Sequence, residues 1–179
     1  IPLSEIDEFP NHPFHVRLDE AMDQLVESIK ERGIITPVTL RQKPDGRYEI
    51  VSGHRRTKAC ELAGLATVKA EIKELSRDEA IILMVESNLQ RTTILPSEKA
   101  FSYKMRLEAM NRQGQRTDLT SVPLGQKLGK TSREVLADSS TDSNTQIQRY
   151  IRLTHLIPPL LDLVDSGKIA FRPAVELSY

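Results

Sequence analysis

The 179-residue chain contains one cysteine, no tryptophan and only 4% aromatic residues. The single cysteine, Cys60, cannot form an internal disulfide, and it excludes a zinc cluster built on several thiolates. Because aromatic residues are scarce, aliphatic side chains must fill the interior. The sequence has no apolar run of about 18 residues and no signal-peptide pattern at its start. We therefore expect a cytoplasmic protein without a membrane span.

The chain also lacks a net charge, because 25 Lys and Arg balance 25 Asp and Glu. These charges are unevenly distributed. Residues 99–155 carry 10 basic side chains against 5 acidic ones, whereas residues 1–98 carry 13 against 17. A local basic excess attracts phosphates even in a neutral chain. Charge alone leaves two interpretations open, a nucleic-acid interface and an ordinary solvated helix face.

Helix and strand patterns alternate in the first half of the chain. The predicted elements are a helix over 19–32 ended by Gly33, strands over 37–41, 48–51 and 68–72, a helix over 54–63, and a helix opened by a capping box at 76–79. The turn at 43–46 predicts that the first two strands form a hairpin. We therefore expect an α+β domain over 1–95, with a small mixed sheet and helices.

From residue 95 onward the patterns are helical. Ser97 is predicted to cap a long helix that reaches about residue 113, followed by a polar loop over 114–122. Shorter helices are predicted over 124–128, 132–139, 144–156 and 159–164, and from about residue 172. We therefore expect an all-α domain over 96–179.

A helix-turn-helix is predicted near 132–156. Its first helix would hold a small residue, Ala137, at the point where the helices cross, residues 140–143 would form the turn, and Ile147 would pack back from the second helix. Asp142 or Ser143 would cap that second helix. No acidic residue occurs over 144–155. The outward side chains, whose types suit base edges in the major groove, would be Asn144, Thr145, Gln146, Gln148, Arg149 and Arg152. The alternative is an ordinary amphipathic helix with a polar face.

A second candidate site is the stretch Gly53, His54, Arg55 and Arg56, where a predicted strand ends and a helix begins. Free backbone N–H groups at a helix start attract anions, and glycine lets a ligand approach the backbone closely. Two adjacent arginines add positive charge with phosphate-matching geometry. A polyphosphate is one interpretation, and a surface arginine pair bonded to local carboxylates is the other.

The third candidate is the stretch 86–91, at the end of the helix that follows the third strand. Glu86, Asn88 and Arg91 offer a carboxylate, a carboxamide and a guanidinium close together. Such a set can hold a magnesium–phosphate pair, since magnesium prefers oxygen ligands. It can equally be the polar end of a helix that docks on the next domain.

In this order the motifs resemble the ParB/Spo0J/Noc family of partition and nucleoid-occlusion proteins. Four stretches carry the resemblance: residues 28–37, residues 53–59, residues 88–91 together with 95–100, and the helix-turn-helix. The resemblance implies a sulfiredoxin-like N-terminal domain, a central helical DNA-binding domain and a homodimer on a palindromic DNA site. It also implies a partition ATPase as partner, association with the nucleoid or a plasmid, and a CTP-dependent DNA clamp that is at most a slow CTP hydrolase.

The resemblance also assigns residues to a CTP and magnesium site. Thr36, Pro37 and Arg41 would lie near the base. Gly53, Arg55 and Arg56 would hold the phosphates, with His54 in the same motif. Asn88 would help to hold magnesium, and Arg91 belongs to that motif. The chain departs from the family pattern at His54, where Glu is usual, and at Ser87, where the usual Glu stands one place earlier as Glu86.

Three other functions stay open on the sequence. A transcriptional regulator could use the same DNA-binding helix without a nucleotide. A sulfiredoxin-like enzyme would need a cysteine where this chain has Gly53. A nuclease would need paired carboxylates on a metal, and the sequence shows no such pair.

Overall fold

The structure, a computed structural model, describes residues 1–91, 93–117 and 142–179, without the side chains of 114–117. Within it the chain forms two compact units, Ile1–Met84 and Val85–Tyr179. The division falls inside a helix, so the predicted domain limits, 1–95 and 96–179, stay predictions. No described helix has the length and apolar character that crossing a bilayer requires.

The first unit is built on a mixed four-stranded sheet with the strand order β1-β3-β2-β4. The strands are β1 (Ile6–Asp7), β2 (Val38–Gln42), β3 (Tyr48–Ser52) and β4 (Ala70–Lys73). Strands β2 and β3 are antiparallel, which confirms the predicted hairpin, and β1 and β4 are parallel to their neighbours. The prediction missed β1, because two residues are too few to show a period. It also placed the start of β4 two residues too early.

Two helices pack against this sheet. Helix α1 (Glu20–Arg32) begins where the Asp19 carboxylate accepts a hydrogen bond from the Met22 N–H at 3.0 Å, and it ends at Gly33. Helix α2 (His54–Leu62) follows β3 directly. Both helices bury an apolar face against the sheet. The core residues are Met22, Val26 and Ile29 of α1, Val38, Leu40 and Ile50 of the sheet, Ala59 and Cys60 of α2, and Val68.

Helix α3 (Arg77–Leu89) begins with the predicted capping box. The Ser76 N–H donates to the Glu79 carboxylate at 2.7 Å, and the Glu79 N–H donates to the Ser76 hydroxyl at 3.3 Å. These reciprocal bonds satisfy two N–H groups that a helix start leaves without partners.

Four helices are described in the second unit after α3: α4 (Pro96–Thr117), α5 (Asn144–Leu153), α6 (Pro158–Asp165) and α7 (Phe171–Leu177). Ala100 of α4 packs in a core with side chains of the three later helices and of the connection before α6. The buried members of this core are Ala100, Leu153, Leu156, Leu161, Val164, Ala174 and Val175. Tyr103 and Ile147 form a second buried cluster between α4 and α5.

The predicted start of α4 is wrong in its cap. The Leu95 N–H donates to the Glu98 carboxylate at 3.0 Å, whereas Ser97 lies inside the first turn. The N–H and hydroxyl of Ser97 both donate to Asp165 at the end of α6. The helix also continues to Thr117, so residues 114–117 do not belong to the predicted loop.

Part of the helix-turn-helix prediction lies outside the described residues. The helices predicted over 124–128 and 132–139 fall there, as do the loop residues 118–122 and the first two residues of the turn. The second helix is confirmed as α5, although it ends at Leu153, three residues earlier than predicted. The complete helix-turn-helix therefore stays a prediction.

Candidate nucleic-acid interface and phosphate-binding turn

Helix α5 is fixed at its start and along its buried face. The Ser143 hydroxyl accepts a hydrogen bond from the Gln146 N–H at 3.3 Å, so Ser143 is the cap, one of the two predicted candidates. Ile147 has no exposed surface and packs with Tyr103 of α4, as its predicted place in the motif requires. The opposite face of α5 is therefore the one that points away from α4.

The other cap candidate, Asp142, bonds to α4 instead. Its carboxylate accepts hydrogen bonds from Lys99 Nζ at 2.7 Å and from the Tyr103 hydroxyl at 2.6 Å. Burial raises the pKa of Asp142, but these two hydrogen bonds outweigh burial and hold the pKa below its ordinary value. The carboxylate is therefore ionised and paired at neutral pH.

The six side chains predicted to face outward from α5 divide into two groups. Asn144, Thr145 and Arg149 are exposed, whereas Gln146, Gln148 and Arg152 are half-buried. The prediction of six outward residues is corrected for Arg152, because its guanidinium donates to the Ser178 carbonyl at 2.8 Å. The same guanidinium lies 3.9 Å from the centre of the Tyr179 ring. Arg152 thus ties α5 to the end of α7.

Arg149 opens onto a cleft that the sequence did not predict. Arg149 lines a cleft of about 330 Å³ together with Arg172 and Glu176 of α7. Phe171 and Val175 supply its apolar wall. Two arginines on one cleft give this surface a positive charge that can meet a phosphate. Arg172 was missed because only the packing of α7 on α5 brings it beside Arg149.

In the first unit, the glycine–arginine stretch lies where β3 ends and α2 begins, as predicted, and we call it the turn: Gly53 joins the two elements, and Arg55 and Arg56 stand in the first turn of α2. Gly53 has φ of +104°, a left-handed conformation that L side chains rarely adopt. A Cβ at this position would lie 2.8 Å from Val38 Cγ1. No side chain caps the start of α2 and its first turn holds no acidic residue. The positive end of a helix dipole with uncapped N–H groups is a place where anions bind.

The two arginines of this turn have different partners. Arg56 donates to the carbonyls of Thr36 and Pro37, and burial lowers its pKa below the ordinary value for arginine. Arg55 pairs with the Asp19 carboxylate at 3.1 Å, and both side chains are partly exposed. The structure thus brings Thr36, Pro37, Gly53 and Arg56 together, with Arg55 beside them.

Arg41 does not join this group. It lies on β2 opposite Glu49 of β3, where its Nε is 3.3 Å from the buried Glu49 carboxylate. One of its terminal nitrogens also reaches the Leu75 carbonyl at 3.5 Å. Arg41 is three residues further along β2 than Val38, the residue that contacts Gly53, so the backbone separation is about 10 Å at strand spacing. Its predicted place near a base stays a prediction.

His54 points to the other side of α2. Its ring stacks on His12, with 3.7 Å between ring centres and 33° between planes. Both rings line a cavity of about 440 Å³, which also carries Glu8, Lys58 and Glu61. His54 is therefore buried against its own unit, and only its backbone faces the turn.

The predicted metal residues lie in the second unit, at the end of α3. The Glu86 carboxylate bonds to Arg106, which is buried in α4. Asn88 is buried and Arg91 is exposed. Because Glu86 already has a cationic partner, it does not offer a free charge to magnesium. Among the described residues, no group of three or more His, Cys, Asp and Glu could hold a metal ion.

Cys60 has the surroundings of a packing residue. It is fully buried in the core of the first unit, and burial raises the pKa of its thiol above the ordinary value. Reactive cysteines need a stabilised thiolate and access to a partner. The position therefore gives no support to sulfiredoxin-like chemistry.

These features define a class of protein with two units. A small mixed α/β unit carries a glycine–arginine turn, and a helical unit carries α5, a capped helix without acidic residues. The ParB N-terminal domain matches residues 1–89. Residues 1–89 therefore belong to the ParB N-terminal domain family.

Named relatives agree with this assignment. The chain is 32% identical to the chromosome-partitioning protein Spo0J of Thermus thermophilus over 94% of its own length and 55% of that protein. It is 31% identical to the nucleoid occlusion protein of Halalkalibacterium halodurans over 99% of its length and 56% of that protein. The chain thus spans about half the length of the curated relatives it matches.

A solved structure shares the fold. The C-terminally truncated chromosome-partitioning protein ParB from Caulobacter crescentus, complexed to the centromeric parS site, superposes with a TM-score of 0.58 and 24% identity. The match covers 99% of this chain and 82% of that one. The likeness confirms a mixed α/β fold with a small sheet, similar to that of ParB.

Proposed function

We propose that this chain binds a specific double-stranded DNA site in chromosome or plasmid partition. The observation that carries the proposal is the exposed face of α5, where Asn144, Thr145 and Arg149 stand without an acidic neighbour on the helix. The related Spo0J and nucleoid occlusion proteins, and the ParB complexed to parS, support the same role.

The chemistry of the exposed face suits base edges. Asparagine pairs with adenine, arginine pairs with guanine, and the threonine methyl contacts the methyl group of thymine. A recognition helix contacts bases with its N-terminal residues, which here are Asn144 and Thr145. Arg149 stands one turn later, beside Arg172 in the cleft. We assign Asn144 and Thr145 to contacts with bases and Arg172 to a contact with a phosphate. Arg149 lies between them and can reach either a base or a phosphate.

The DNA proposal is tested by selection from a pool of randomised duplexes with the full chain. The selected duplex and a scrambled duplex of equal length are then titrated with wild-type protein and with Arg149→Ala. We expect specific binding by the wild type and a loss of about 1–3 kcal/mol in Arg149→Ala if the side chain contacts a base.

Arg77→Ala is the matched control, because Arg77 is exposed at the start of α3 in the first half of the chain. It removes the same charge and should leave the affinity for the selected duplex nearly unchanged. Enrichment of no sequence by the wild type would contradict site-specific binding. Equal losses in the two variants would remove Arg149 from the interface.

A second proposal concerns the turn between β3 and α2, which we propose binds the phosphates of a nucleoside triphosphate. The uncapped start of α2 supplies N–H groups, and Gly53 leaves the backbone without a side chain. The pair between Arg55 and Asp19 is partly exposed, and such pairs are weak, so a phosphate can replace Asp19 as the partner of Arg55. The family resemblance points to CTP as this nucleotide.

The residues fit phosphates better than they fit a metal of their own. The Arg56 guanidinium donates hydrogen bonds to two backbone carbonyls and thereby holds the shape of the turn. Glu86 is paired with Arg106, so we do not retain it as a magnesium ligand. Magnesium usually keeps several waters and binds through substrate phosphates with one or two protein oxygens. The family resemblance names Asn88 for magnesium, and that assignment stays a prediction.

Equilibrium binding of radiolabelled CTP tests the nucleotide proposal, with ATP, GTP and UTP as competitors and with or without magnesium. We expect selective binding of CTP that is lost in Arg55→Ala and kept in Arg77→Ala. If folded protein binds no nucleotide but still selects a duplex, the chain is a nucleotide-independent regulator on a ParB fold.

Partners follow from the DNA proposal. A palindromic site presents two equal half-sites, so a homodimer matches its symmetry. We propose that two copies act together at the nucleoid or on a plasmid, with a partition ATPase as the further partner.

A further inference from the structure

We propose that Asp142, held by Lys99 and Tyr103 of α4, is a positioning residue that sets the direction of the DNA-reading end of α5. The inference rests on the proposed DNA binding. It assigns to Asp142 a role without DNA contact, since its carboxylate faces α4.

The contact of Asp142 with Lys99 and Tyr103, which we call the tie, lies at the N-terminal end of α5. This is the end with which a recognition helix contacts bases. Asp142 stands two residues before Asn144, the first residue of α5. Lys99 and Tyr103 are one helical turn apart on α4, so their polar ends meet on one side of that helix. Both donate to the same carboxylate oxygen, Oδ2, at 2.7 and 2.6 Å.

The surroundings leave this carboxylate little freedom. The side chains of Lys99 and Asp142 are only 20% and 18% exposed, and Tyr103 is buried. Lys99 also lies 5.0 Å from the centre of the Tyr150 ring, on the same α5 whose start it holds through Asp142. One pair of α4 side chains thus contacts α5 at its entrance and at its middle.

A polar tie at this point has a geometric effect that apolar packing lacks. Apolar contacts such as that of Ile147 hold α5 against α4 but allow small rotations and shifts. Two hydrogen bonds on one oxygen fix the distance and angle at the helix entrance. Buried ion pairs add little net stability compared with apolar packing. We therefore infer that this pair serves to fix the orientation of the start of α5 on α4.

The test compares the affinity for the selected duplex with the affinity for the scrambled duplex in wild type, Asp142→Asn and Tyr103→Phe. All titrations use conditions in which circular dichroism shows each variant folded. We expect the ratio of the two affinities to fall by about tenfold in each variant, the discrimination of one base contact. The double variant should lose little more than Asp142→Asn alone, because Tyr103→Phe removes one of the hydrogen bonds that Asp142→Asn already weakens.

Asp165→Asn is the matched control. Asp165 also accepts two hydrogen bonds across helices, from the N–H and hydroxyl of Ser97, and neither of these residues belongs to α5. The substitution changes charge by the same amount as Asp142→Asn, so it should raise affinity for both duplexes equally and leave their ratio unchanged.

The outcomes separate the two proposals. Wild-type protein that does not distinguish the duplexes contradicts the DNA proposal itself. Wild-type protein that does distinguish them, with an unchanged ratio in Asp142→Asn and Tyr103→Phe, overturns the positioning role alone. An equal fall of the ratio in Asp165→Asn would also overturn it, because loss of any helix tie would then suffice.

Discussion

Gly53 shows how a single residue shapes the turn that we assign to phosphates. Its left-handed φ and its 2.8 Å approach to Val38 both exclude a side chain. We expect Gly53→Ala to lower the free energy of unfolding by about 1–3 kcal/mol, from backbone strain with the clash added. Urea unfolding measures the loss.

Gly46 provides the control for that substitution. It also has a left-handed φ, of +84°, but a Cβ there would meet nothing within 4 Å. Gly46→Ala should therefore cost less than Gly53→Ala, by the contribution of the contact with Val38. Equal losses in the two variants would show that the clash relaxes without cost.

Asp7 should make stability depend on pH. Hydrogen bonds from Arg47 and Lys43 hold its pKa well below the ordinary value. A carboxylate with a depressed folded-state pKa stabilises the fold above its unfolded pKa and loses that effect as the pH falls towards the folded value. Wild type should therefore be more stable than Asp7→Asn above about pH 5, and the difference should shrink below about pH 4.

Urea titrations of both proteins across this range check the prediction, with Arg47→Gln as a third protein. Arg47→Gln removes the main donor to Asp7, so the loss in the variant with both substitutions should be smaller than the sum of the two single losses. A stability difference that stays constant as the pH falls would mean that the ion pair does not hold Asp7.

The sequence predicted where helices begin and end better than it predicted which residues their polar side chains would bond to. Ser143 was one of two predicted caps and is the one found, whereas Ser97, also a predicted cap, lies inside the first turn of α4 and bonds to Asp165. The local pattern around Ser97 contains no trace of Asp165, which stands 68 positions away. For the same reason, the contact of Arg152 with Ser178 was invisible in the sequence.

At the scale of the element, α5 depends on its cap. Ser143 satisfies the Gln146 N–H, so Ser143→Ala should lower the free energy of unfolding by about 1 kcal/mol. Ser143→Asn keeps a side-chain acceptor without adding charge and should restore most of the loss. Thermal and urea unfolding compare the three proteins. Equal stability of Ser143→Ala and wild type would show that water replaces the cap.

The elements predicted most accurately are those long enough to show several repeats of their apolar pattern. Helix α1 carries three buried residues at helical spacing and was predicted to within a residue. The hairpin was also found, because its turn residues and strand pattern agree. Strand β1 has two residues and draws its place from parallel pairing with β3, which depends on distant parts of the chain. The end of α5 was misplaced because the buried Leu156 continues the apolar pattern beyond Leu153, and the end of α4 because polar residues there do not mark a boundary.

At the scale of the whole molecule, zero net charge hides the proposed interface. Binding to phosphates releases counterions, and the logarithm of affinity falls with the logarithm of salt by about 0.9 for each phosphate contacted. We expect a steep salt dependence despite the balanced charge, because residues 99–155 carry 10 basic against 5 acidic side chains. A flat response would remove this segment from the interface.

The same titration separates the roles of two arginines. Arg172→Ala should reduce the salt slope by about 1, as expected for a lost phosphate contact. Arg149→Ala should change the specificity more than the slope if Arg149 contacts a base. No sequence pattern connects these residues, which meet only because α7 packs on α5. Of the proposed interface, the sequence alone therefore indicates α5 but not Arg172.

A photo-crosslink from α5 to DNA distinguishes the proposed interface from every other surface. The photoreactive side chain would replace Thr145, which is exposed at the start of α5, and in a control protein Asp162, which is exposed on α6. With the selected duplex we predict a strong crosslink from position 145, confined to bases of the selected site, and little from position 162. Absence of a crosslink from position 145 in protein that binds the duplex would contradict α5 as the helix that reads DNA.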